Sequence, residues 1–280
     1  MGRIDEEEGL MKVNKYIYLY ALTETHQLKE QSLPILNGFD TSEKLYTITT
    51  NEITAIVCDL DPKEFAEESI NNKIESDQEW LQTKAFHHHE TLLKLFSLFQ
   101  VIPLKFCTIY ENEKNLKEKI NSNEEDLKQT FKSLEGNEEW NLKIYCDDDQ
   151  LKRNVFKHNA TVEAKRQEIR TLTPGKQYFE KKKIDKLVEV EVENEKEKIC
   201  HSLHENLKQY AEDASIKKNW SQNATGRKEH MAWNSVFLIP KSRVNQYLKE
   251  IAKIEENLTT KGWRIEATGP WPPYHYSSFS

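Results

Sequence analysis

The chain has 280 residues, of which 37% are hydrophobic, 31% charged and 10% aromatic, a polar composition whose aromatics nonetheless argue against disorder. Its net charge of −7 disfavours nucleic acid or an anionic membrane as the main partner. Cys58, Cys107, Cys146 and Cys200 show no CxxC spacing, the pattern of free, mostly buried thiols in a cytosolic protein.

Residues 1–14 read as a flexible acidic leader: Glu6-Glu7-Glu8 stands where a secretory signal would carry basic residues. Tyr16 to Leu22 is apolar or aromatic throughout, which predicts a strand buried on both faces. After a loop at Pro34–Gly38, the β-branched runs 45–50 and 53–58 flank Asn51-Glu52 and predict a hairpin. Asp61-Pro62 is a helix-start signal. A longer helix is expected over about 77–99, with Leu81, Ala85, Leu92, Leu93, Leu95, Phe96 and Phe99 at helical spacing. No run reaches membrane-spanning length, since 92–104 is short and carries Lys94 and Gln100. Pro103 lies inside an otherwise strand-like run, which implies an edge or bulge position. Residues 114–134 read as one amphipathic helix closed by Gly136.

A second set of elements begins at a strand over 140–146. Asp147-Asp148-Asp149 supplies N-cap material. Helical sequence runs to Arg170, breaks at Thr173-Pro174-Gly175 and resumes to about Tyr210. A weak strand at 215–220 and a strong one at 231–239 follow. Pro240 opens a helix that ends near Gly262, and 263–267 is the last strand. This β-α-β-β-α-β order is the split βαβ, ferredoxin-like arrangement. The expected fold is therefore α+β in two domains with long helices: 15–136, a looser α+β domain, and 137–280, ferredoxin-like with a long helical insertion and the terminal tail. In that tail, Gly269-Pro270-Trp271-Pro272-Pro273-Tyr274, three prolines remove three backbone donors, so the segment cannot continue a helix or pair on both edges. It is expected to run extended, close to polyproline II, holding Trp271 and Tyr274 as stiff pegs.

Three clusters invite a chemical reading. His87-His88-His89 cannot converge on one ion, because successive helical residues point about 100° apart. One or two of these rings are expected to cover the apolar stripe between Ala85 and Leu92. His201 and His204 have i, i+3 spacing beside Cys200 but no further ligands, and helix capping accounts for Asp147–Asp149. There is no GxSxG, P-loop or GxGxxG motif. The reading is of a protein that is not an enzyme, with no catalytic residues, no cofactor and no metal. The strand around Pro103, Leu104 and Phe106 and the tail residues Trp271, Pro272, Pro273 and Tyr274 are left as structural packing or a partner-docking surface.

Four stretches, in order, resemble one family. The closing GPWPPY at 269–274 is similar to the signature end of the gas vesicle protein F/L family. Val101-Ile102-Pro103-Leu104-Lys105-Phe106-Cys107-Thr108-Ile109-Tyr110 resembles that family's V-L-P-L-R-F-G-T-V-F. Gly136–Ile144 resembles its G-x-x-E-W-x-V-K, and Thr173–Phe179 its S-P-G-x-x-Y-L. Cys107 departs from the family's usual Gly, and a Ser-rich tail follows the last motif. The resemblance implies two α+β domains, the second ferredoxin-like, and a histidine-bearing helix ahead of the PLRFGT-like strand. It also implies an accessory protein, in the cytoplasm and at the gas vesicle. Such a protein binds the small hydrophobic shell protein, works with other gas vesicle accessory proteins, helps nucleate or assemble the shell and stays as a minor component. The alternatives are an interaction module of another cytosolic assembly, or a small-molecule enzyme built around the histidine helix.

Overall fold

The computed structural model describes residues 15–277 and 279, so the acidic leader expected over 1–14 lies outside the described residues. The chain is a mixed α and β protein with two antiparallel sheets, divided into two compact units. One comprises the described chain up to Glu135 together with the tail from Pro272; the other is Gly136–Trp271.

In the first unit, β1 (Tyr16–Glu24) is buried at every interior position, as an apolar run with two covered faces requires. After α1 (Thr25–Glu30), β2 (Tyr46–Thr50) and β3 (Ile53–Leu60) form the expected hairpin, turning at Asn51 in the left-handed region (φ 50°). Asp61-Pro62 does not start a helix. Asp61 instead caps a turn by accepting from Lys63 N, and α2 (Glu67–Ser76) begins later, with two glutamates in its first turn. In α3 (Gln78–Phe96), Asp77 accepts from Trp80 N at 2.9 Å. β4 (Val101–Pro103) pairs with β1 at the edge of the sheet, where a proline is tolerated, and β5 (Ile109–Tyr110) pairs further along β1.

The single helix expected over 114–134 is two, α4 (Glu113–Ser122) and α5 (Glu124–Leu134). Between them the Asn123 amide reaches back to Lys119 O at 2.8 Å, a side-chain bond that competes with the helical ladder. Gly136 (φ 71°) closes α5.

The second unit opens with β6 (Asn137–Cys146). Asp147 caps α6 (Asp148–His158) by accepting from Gln150 N at 2.9 Å. Asn159 divides the expected continuous helix, accepting from Val162 N to start α7 (Ala160–Arg170). The 35-residue α8 (Pro174–Lys208) then begins with proline in its first turn. β7 (Asp213–Ile216), α9 (Gln222–Thr225), β8 (His230–Pro240), α10 (Val244–Thr259) and β9 (Trp263–Trp271) complete it. Pro240 ends β8 rather than opening the helix, since its backbone is still paired opposite Asn137. The sheet order is β7-β8-β6-β9, every neighbour antiparallel. Leu142, Ile144, Phe237, Ile239 and Tyr247 fill the core beneath the apolar side of α8.

β9 is longer than its apolar stretch, running through Gly269-Pro270 to Trp271, which pairs with Glu139. An edge strand permits this, because its outer donors need no partner. Gly269 (φ 154°) is required here: a Cβ would lie 2.8 Å from the Trp140 ring. The tail expected to run extended, close to polyproline II, is therefore extended only as strand up to Trp271; after it the chain turns, with Tyr274 N donating to Pro272 O and Ser277 N to Pro273 O at 3.0 Å. From Pro272 the tail packs with the first unit, not with the domain that precedes it in sequence. Pro272-Pro273 removes two donors in succession and so ends the sheet pairing.

Candidate functional site: the histidine helix and the segments it holds

The first unit's core is built around hydroxyls as well as hydrocarbon. Tyr18 and Tyr20 alternate along β1 and so share a face of the sheet, the face covered by α3. Both are fully buried, and a buried phenol needs a hydrogen-bond partner. Two of the three consecutive histidines of α3 answer this need, and the third bonds the exposed Tyr274. His87 Nε2 lies 3.2 Å from the Tyr20 hydroxyl, His88 Nδ1 2.8 Å from that of Tyr18, and His89 Nδ1 3.0 Å from that of Tyr274.

His88 is the hub. Cys107 N–H donates to the Tyr18 oxygen at 3.2 Å, so that hydroxyl's own proton goes to His88 Nδ1. The opposite nitrogen then carries the proton and donates to Leu104 O at 3.2 Å, fixing the tautomer. The ring also stacks on Tyr20, with centroids 5.5 Å apart, and meets Phe106 edge-on at 5.9 Å. Burial pushes its pKa down to about 4, so the ring is neutral at pH 7. Burial lowers His87 as well, and raises Tyr18 well above the usual phenol range and the Cys107 thiol to about 11. A neutral imidazole between a hydroxyl and a carbonyl can orient segments; with both nitrogens committed, it has no lone pair left for a metal. Among the described residues no group of three His, Cys, Asp or Glu is placed to hold a metal ion.

These contacts locate the residues singled out from the sequence. Pro103 and Leu104 are buried in the β4 segment, with Leu104 N donating to Tyr20 O at 2.9 Å. Phe106 packs half-buried against Phe39 and His88. Pro272 and Pro273 are buried, whereas Tyr274 is 41% exposed above them, its ring stacked on His89. Trp271 belongs to β9, where its indole N–H donates to Thr268 Oγ1 at 3.1 Å. In the first unit α3 thus holds both suspected segments, through His88 for 103–106 and His89 for the tail. The sequence placed one or two histidines over the apolar stripe but did not identify the hydroxyls they bond. The signal for their true partners was the alternation of tyrosines in a strand too apolar to have a wet face. Cys107, where the related motif carries glycine, has φ 62°, the left-handed conformation that glycine would adopt freely.

The family described as gas vesicle synthesis protein GvpL/GvpF matches residues 16–278. A curated relative, gas vesicle protein L of Streptomyces sp. (strain CB03234), is 18% identical over 229 residues, covering 82% of this chain and 81% of that protein. The crystal structure of gas vesicle protein GvpF from Anabaena sp. PCC7120 superposes with a TM-score of 0.72 at 18% identity, covering 95% of this chain and 99% of that one. GvpF from Microcystis aeruginosa gives 0.65 at 17% identity, covering 94% and 99%. At these identities the structures speak to the fold.

Proposed function

This chain belongs to the gas vesicle synthesis protein GvpL/GvpF family, and from that premise we propose that it is a non-enzymatic accessory protein that binds the small hydrophobic shell protein. It holds that protein in the cytosol until it joins the growing wall, helps nucleate or assemble the vesicle, and remains as a minor component alongside other accessory proteins. The observation that carries this reading is the family match across nearly the whole chain. Physical features support it. The net charge of −7 keeps a complex with a greasy partner dispersed. No helix among the described residues is long and apolar enough to cross a membrane. We read the second unit as ferredoxin-like, a reading supported by the order β7-β8-β6-β9 with helices after the first and third strands of the unit.

Of the residues suspected of docking, Tyr274 is the one that offers a partner an exposed ring on a rigid, proline-set base. Pro272 and Pro273 are the buried residues that lead into that ring, while Pro103, Leu104 and Phe106 belong to the segment that His88 holds. The test is a pull-down from cytosol with the vesicle shell protein, comparing the native chain with Tyr274→Ala. The expected result is capture by the native chain and at least a fivefold loss in the variant at unchanged melting temperature. No capture by the native protein, together with normal flotation of cells lacking it, would overturn the function. Full capture by a folded Tyr274→Ala would overturn only the assignment of the surface.

A further inference from the structure

The motif Thr173–Phe179 does not enter the site described above, and the helix it opens has an unusual charge order. Between Lys165 and Lys186 there are eight lysines and arginines against three carboxylates; between Leu187 and Glu197 there are five glutamates and one lysine. One face of α8 carries Phe179, Lys183, Lys186, Leu187, Val190 and Glu193 at helical spacing. Phe179 and Val190 are 68% and 56% exposed. Eleven residues apart, they lie within about 20° of one another around the axis and about 16 Å apart along it.

A shallow, mainly apolar groove of about 800 Å³ follows this face, with Lys165, Lys183 and Lys186 at one end, Leu187 and Val190 in the middle, and Glu189 and Glu193 at the other. Lys186 has no carboxylate within ion-pair distance among the described residues. Lys165 and Lys183 pair with Glu180, Lys165 also with Glu168, and Glu189 and Glu193 pair with Lys152 and Lys196. These are surface pairs, weak enough for a partner to exchange.

We propose that this groove is a docking site for an amphipathic helix of about three turns in a partner protein. The partner's apolar stripe lies over Val190 and Leu187, its acidic end over Lys183 and Lys186, and its basic end over Glu189 and Glu193. Charge segregation along the groove selects a helix with the complementary segregation. An extended anionic surface would meet the glutamate end and the net charge of the whole chain. The site belongs to the second unit and Tyr274 to the first, and they share no residue, so it stands or falls independently of the shell-binding surface.

The experiment uses the full chain and two fluorescein-labelled helical peptides of 14 residues with one Leu stripe and identical composition. One carries Glu in its first third and Lys in its last; the other has the same charges interspersed. Anisotropy should show at least tenfold tighter binding of the segregated peptide, weakening between 50 and 500 mM salt. Val190→Asp should reduce that binding at least fivefold. Lys183→Glu with Lys186→Glu should reduce it at least tenfold, with recovery towards a peptide bearing Lys at both ends. Circular dichroism confirms that these exposed variants stay folded. Equal affinity for the two peptides, no binding at millimolar peptide, or indifference to Val190→Asp overturns the proposal. So does binding to phosphatidylglycerol vesicles that Val190→Asp leaves intact while the segregated peptide fails to bind.

Discussion

Each unit buries a histidine against aromatic rings, and the two are treated in opposite ways. His88 is tied at both nitrogens, to Tyr18 and to Leu104 O. His204 on α8 is 3% exposed and packs against Trp233 and Phe237, but its Nδ1 has no hydrogen-bond partner among the described residues. Burial lowers the pKa of both. A buried polar group with partners positions what it touches; one without them forfeits its hydration and gains only packing. The first unit therefore uses histidine to hold β1 to the segment after β4. The second uses it as an aromatic filler.

Substitution should expose that difference most strongly at His88. His88→Leu keeps the volume but strands the Tyr18 hydroxyl's proton and Leu104 O inside the core, and is expected to cost about 3 kcal/mol. Urea titration followed by hydrogen exchange at β1 amides would measure it; a loss below about 1 kcal/mol would mean the hydrogen bonds do not matter.

Acid should act next in size, through the same ring. Well above pH 6.5 His88 is neutral in both states. As pH falls below 6.5 the unfolded chain binds a proton that the folded ring refuses until about 4, so stability declines through this window. From one titrating group, about 2 kcal/mol should disappear between about pH 8 and 5. The lowered His87 and His204 add to the loss with the same sign. Chemical denaturation at several pH values checks this, and His88→Leu should flatten most of the slope. An unchanged slope in that variant would place the titrating group elsewhere.

His204→Leu gives the converse. With no hydrogen bond at Nδ1 to lose, it should shift stability by less than about 1 kcal/mol, and any gain would come from removing a desolvated nitrogen. A cost near that of His88→Leu would show that His204 has a polar role in solution after all.

Long, two-face-buried strands such as β1 and β8 were plain in the sequence because apolar runs bounded by turn residues have few other solutions. The charge-capped start of α6 and the proline at the head of α8 were equally local. Helix breaks at Asn123 and Asn159 were not, since asparagine mid-helix costs only tenths of a kcal/mol and its capping role depends on where the chain turns next. The tail posed the larger difficulty. Local chemistry showed that Pro272-Pro273 must leave a sheet, but nothing in those residues says which core receives them. The histidines were legible in part: one or two were expected to cover the apolar stripe and His88 is buried, but the hydroxyls that His88 and His87 bond, those of Tyr18 and Tyr20, lie about 70 positions away on β1.

The tail gives the smallest expected effect and the finest discrimination. Tyr274 has an exposed ring, a hydroxyl 3.0 Å from His89 Nδ1, and a stacked contact with the same imidazole. Tyr274→Phe keeps the stacking and removes the hydroxyl at a site where water can replace it, so the cost should be about 0.5 kcal/mol or less. If the ring is an anchor for a partner, this variant should bind the shell protein nearly as well as the native chain, while Tyr274→Ala does not. A melting temperature lowered by several degrees in Tyr274→Phe would instead make the hydroxyl part of the fold's hydrogen-bonded frame, like that of Tyr18, and the exposed ring incidental.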